Sequence, residues 1–80
     1  MYGLFDVDIS EKKYIGNGTY NHCVGIKEDA TNMFYVLIEK KHDKETIRKS
    51  FEIREIDDEE KKLTNEEIEI GMNIKIKKWI

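Results

Sequence analysis

The chain has 80 residues, 39% apolar and 39% charged, with a net charge of −3 and a single cysteine. That length gives one domain with a thin core. The balance is too apolar for simple disorder, too charged for a membrane span, and too acidic for global attraction to nucleic acid.

Near the start, Phe5, Val7 and Ile9 alternate with Asp6 and Asp8, which predicts a half-buried strand over Tyr2–Ile9. Ser10–Gly18 follows as a long polar loop or a short extra strand, with a turn signal at Gly16-Asn17-Gly18. Thr19–Lys27 alternates again and reads as a strand. Glu28–Asn32 is a polar break of hairpin length. Met33–Ile38 is apolar on both faces and rich in aromatic and β-branched residues, the pattern of a central strand.

Thr46–Ile56 has two readings. Phe51 and Ile53 alternate as in a strand, with a bulge near Arg54-Glu55 to bring Ile56 inward. The spacing of Ile47, Ser50/Phe51 and Arg54 also fits a helix, so residues 45–57 stay open between the two. Asp57–Lys62 is a solvated charge run. Thr64 and Glu67 have capping-box spacing, read here as a single turn with Leu63 plugging the core. In Glu67–Ile80, Ile68, Ile70, Met72, Ile74 and Ile76 fall on every second residue. That period predicts a strand with one dry and one wet face, around which the rest is organised.

Five such segments joined by short loops imply an all-β fold, a small five-stranded antiparallel barrel or meander. With one turn before its last strand, the layout resembles an SH3-like barrel more than an OB-fold, which often carries a longer helix. This likeness of layout carries no function across. Pairing Tyr2–Ile9 with Met72–Trp79 sets Asp6 and Asp8 opposite Lys75 and Lys77 on the wet face. In that phase Ile70→Asp or Ile74→Asp abolishes folding, whereas Lys75→Asp is tolerated or mildly destabilising.

No catalytic, cofactor or metal motif stands out. His22 and Cys23 are strand neighbours pointing to opposite faces, a poor joint site, and His42 is remote. Cys23 reads as an inert small residue; a secreted domain of this size usually carries several cysteines, so a cytoplasmic location is expected. Lys40, Lys41, Arg48, Lys49, Lys75, Lys77 and Lys78 could form a basic patch with Tyr35 and Trp79, the chemistry of single-strand binding. Tyr14 is a large aromatic in a flexible loop, either a partner anchor or a lid on the core.

The expectation is a non-enzymatic module that binds a protein partner, without cofactor and away from the membrane, through Tyr14, Trp79, Lys75, Lys77 and Lys78. Accessory or inhibitor proteins of phages and other mobile elements have this short, charge-dense format. The alternative is a nucleic-acid-binding small barrel. Neither oligomeric state nor the partner's identity follows from the sequence.

Overall fold

The N-terminal strand forms over Tyr2–Asp6 and is the centre of the molecule. The computed structural model describes all 80 residues. Its elements run β1 (Tyr2–Asp6), β2 (Lys13–Tyr14), β3 (Gly16–Gly18), α1 (Tyr20–Leu37), α2 (Lys44–Arg48), β4 (Phe51–Glu55), β5 (Lys61–Lys62) and α3 (Asn65–Trp79). One antiparallel sheet has the order β3-β1-β4, and β2 pairs in parallel with β5. Both sheets are open. The fold is therefore mixed α/β, and the expected all-β barrel with SH3-like layout is overturned by three helices.

The correction at the last element has a geometric cause. A row of apolar residues at every second position also contains every fourth position. On a helix, residues two apart point about 200° away from each other. The isoleucine row therefore splits on α3. Ile68, Met72 and Ile76 turn inward together with Lys75 and Trp79, while Ile70 and Ile74 stay exposed. Thr64 caps the helix with a complete capping box, Glu66 and Glu67 sit in its first turn, and Lys77 and Lys78 sit in its last. Each of these favours a full helix, where the sequence reading allowed one turn.

The strands expected at Thr19–Lys27 and Met33–Ile38 merge into α1. Thr19 is its N-cap, accepting from the backbone N–H of His22. The stretch Glu28–Asn32 is its middle rather than a hairpin, with Asp29 and Asn32 exposed and Thr31 buried. Cys23, Thr31, Phe34 and Ile38 are buried at helical spacing. The helix closes with the N–H of Glu39 on the carbonyl of Val36 and that of Lys40 on Tyr35. Glu39 and Lys40 take positive φ angles of 57° and 60° there, in a Schellman-like end without glycine.

Residues 45–57 contain both rival elements, α2 and then β4. Asp43 caps α2 by accepting from Thr46 N–H. The β1–β4 ladder runs unbroken from Tyr2↔Glu55 to Asp6↔Phe51, so there is no bulge. Ile56 is out of phase because it packs beneath Gly3 on the sheet's other face. The expected turn at Gly16–Gly18 is strand β3. A Cβ at Gly16 would lie 2.5 Å from Ile26 Cδ1, so glycine lets α1 lie close on this strand.

Leu4, Phe34, Ile38, Ile47 and Phe51 form the main core between the sheet and the helices. Each fully buried side chain of this size contributes about 1.5–3 kcal/mol. On the opposite face Phe5 is covered by Tyr14 and by the Arg54 guanidinium, 3.9 Å from its ring centre. Leu63 is buried, 5% exposed, in the plugging role expected of it. No helix is long and apolar enough to cross a membrane.

Candidate functional site: a buried lysine and an open apolar groove

The helical phase of α3 points Lys75 into the molecule, where its side chain and that of Asp6 have no exposed surface. Its ammonium has three protons and meets three oxygens: Ser50 Oγ at 2.6 Å, Asp6 Oδ1 at 2.9 Å and Asp8 Oδ2 at 3.2 Å. Ser50 in turn donates to the carbonyl of Ile47. Aromatic rings surround the charge, with Phe51 at 4.4 Å, Phe34 at 4.9 Å and Trp79 at 5.4 Å. Asp8 also accepts from Lys78 Nζ and from the Trp79 indole N–H. Asp6 Oδ2 is buried with no partner.

Burial pushes the Asp6 carboxyl above the ordinary aspartate range, although the Lys75 charge and hydrogen bond pull the other way. At Asp8 burial pulls upward too, but the bonds from Lys78 and Trp79 and the Lys75 charge outweigh it and hold it low. The expected strand pairing of Tyr2–Ile9 with Met72–Trp79 does not form, but Asp6 and Asp8 do meet Lys75, with Lys78 in place of Lys77. This contact is made by a helix docking on a sheet, inside the protein rather than on a wet strand face. No solute reaches Asp6 or Lys75, so the cluster's chemistry is that of a pin fixing α3 to β1.

The other expected partner-binding residues are scattered. Tyr14 lies in β2, half-buried, with its ring edge-on to Phe5 at 6.1 Å, the geometry of a lid. Trp79 packs edge-on against Phe34 and His42, and its backbone carbonyl meets His42 Nε2 at 2.9 Å. Lys78 is exposed and paired with Asp8; Lys77 is exposed. The proposed basic patch loses Lys75 to the core and Arg48 to Glu28 and Glu45. Cys23 is buried in α1, where burial raises its thiol pKa, while neighbouring His22 is exposed. No three His, Cys, Asp or Glu side chains gather as a metal site.

The sequence reading missed the surface of α1. Met33, Val36 and Leu37 are 55%, 63% and 42% exposed. They are neighbours three and four residues apart on one helix flank. A hollow of about 430 Å³, reached by Met33 but not by Val36 or Leu37, opens between α1 and β3. Its apolar lining is Leu4, Ile15, Ile26, Ala30 and Met33, with His22, Asp29 and Lys62 among its polar residues. The signal was available: read at helical rather than strand period, residues 20–37 leave Met33, Val36 and Leu37 off the buried stripe.

Comparison with models of known families, with curated proteins and with solved structures finds no match for this chain.

Proposed function

We propose that the chain is a non-enzymatic binding module that takes apolar side chains of a protein partner into the groove between α1 and β3. One observation carries this reading: exposed Met33 lines a hollow with Leu4, Ile15, Ile26 and Ala30, and Val36 and Leu37 stand exposed three and four residues further along α1. A contiguous apolar surface of this kind is costly in water and marks an interaction site. A binding role also suits the burial of the densest ionisable cluster, Asp6, Asp8 and Lys75, beneath the packing of α3.

Panning a displayed random-peptide library against the protein tests this. Enriched peptides carry apolar residues at helical or alternating spacing, and their affinity drops at least about tenfold for Met33→Glu or Val36→Glu. Both positions are exposed, so the variants keep the wild-type circular dichroism. Peptides that bind wild type and both variants equally would exclude the groove. Enrichment of basic or acidic peptides without apolar residues would point away from it as well.

A further inference from the structure

The open side of β4 has a pattern that the groove does not use. Val7 N–H bonds to the Ser50 carbonyl at 3.0 Å, and Ile56 N–H to the Met1 carbonyl at 3.2 Å. Antiparallel ladders alternate, so Gly3/Arg54 and Phe5/Glu52 are the hydrogen-bonded pairs between these ends. The N–H and C=O groups of Phe51, Ile53 and Glu55 therefore point away from β1. β4 is the last strand of its sheet, and no loop or side chain takes up those N–H groups. An edge of this length is a template for another strand.

The side chains select which strand. Glu52 and Arg54 lie on the same face of β4, 52% and 40% exposed. Their own contact is loose, with Arg54 Nε 3.8 Å from Glu52 Oε2, and Nε is buried without a hydrogen-bond partner. We infer that β4 pairs antiparallel with β4 of a second copy, about a two-fold axis through Ile53. In that register Glu52 of each copy faces Arg54 of the other, and half-exposed Ile53 meets Ile53. A shift of two residues one way sets Glu52 against Glu52, and the other way Arg54 against Arg54. A one-residue shift turns the core face of one strand outward. Parallel pairing in register also opposes like charges. Only one of these arrangements satisfies both the backbone and the charges, with the partner's Glu52 facing an Arg54 that also donates to the Glu11 carbonyl of its own chain. The other edge, β3, has three residues, two of them glycine, and no such code.

Sedimentation equilibrium from about 1 µM to about 1 mM, with amide hydrogen exchange read at both extremes, tests the pairing. The expected result is a reversible dimer in which the Ile53 and Glu55 amides become protected at high concentration, while the Phe5 amide is protected throughout. Glu52→Arg weakens the dimer about tenfold or more by setting arginines against arginines, and Glu52→Arg/Arg54→Glu restores it. Because Arg54 also covers Phe5, the wild-type exchange pattern and the Glu52→Arg variant decide if the double variant fails to fold. A monomer across the range would overturn the proposal. So would a dimer that survives Glu52→Arg with the Ile53 amide still exchanging freely, which would place self-association elsewhere, for instance at the α1 groove.

Discussion

Lys75 Nζ and Asp6 Oδ1 lie 2.9 Å apart, with neither side chain exposed, so the last helix is fastened to the first strand by a dry ion pair. Desolvating two charges costs several kcal/mol, and their attraction offsets this only because each further proton of Lys75 also has an acceptor. The pair stabilises one docking of α3 over others. Removing either partner leaves the other buried and uncompensated.

This inverts the mutational pattern expected from a strand. Lys75→Asp sets a third carboxylate beside Asp6 and Asp8 and should destabilise by about 4 kcal/mol or more, enough to unfold a domain of this size. Ile70→Asp and Ile74→Asp, at positions 55% and 60% exposed, should cost about 1 kcal/mol or less. Urea melts of the three variants decide it. A folded Lys75→Asp beside an unfolded Ile74→Asp would restore the strand phase.

Asp6 and Asp8 should titrate in opposite directions from the ordinary aspartate value of 3.8. Asp6 is raised, so its contribution to stability is fully present below that value and lost as pH rises through its folded value. Asp8 is lowered, so its contribution is fully present above 3.8 and lost as pH falls through its folded value. Carboxyl-carbon NMR should show the two midpoints on either side of 3.8. The stability of wild type relative to Asp6→Asn should decline as pH climbs out of the acid range.

Tyr14→Ala should lower stability by about 2 kcal/mol, from lost burial and the lost edge-on contact with Phe5. Binding to groove peptides should be unchanged at temperatures where the variant is folded. A variant with wild-type melting temperature would show that Tyr14 is not the lid its geometry describes.

Glu39 holds a left-handed backbone at the end of α1 without the freedom of glycine. Relief of that strain outweighs the extra chain entropy of glycine, so Glu39→Gly should stabilise by about 0.5–1 kcal/mol. Thermal denaturation measures this directly; a fall in melting temperature would mean that the Glu39 side chain contributes more than its backbone costs.

How much of this was legible differs by element. The start of the strand at Tyr2 and the burial of Leu63 could be read from near neighbours, but the strand stops at Asp6 rather than Ile9, and Asp6 is buried where alternation placed it on a wet face. Residues 45–57 gave two readings because the segment holds two elements. At Ile68–Ile76 the alternation was real but ambiguous, since a row with period two contains a helical face within it. The capping box at Thr64 and the charges at both ends of α3 were the better guides, because they depend on helix termini and on nothing else. The burial of Lys75 could not be read at all. It depends on Asp6, Asp8 and Ser50 converging from distant parts of the chain.

Synthesis order gives that convergence a temporal meaning. Lys75 follows Asp6 by 69 residues, which takes a ribosome roughly 3–14 s to add. Until then Asp6 has no cation, and a dry site for its carboxylate is unfavourable. The sheet can pair β1 with β3 early, but Phe34 and Phe51 cannot close over the acid before α3 emerges. This domain should therefore stay open and protease-sensitive until α3 is released, and then close in one step. A domain this small has little reserve for partial structures, and the late lysine makes the arrival of α3 the trigger for closing its core.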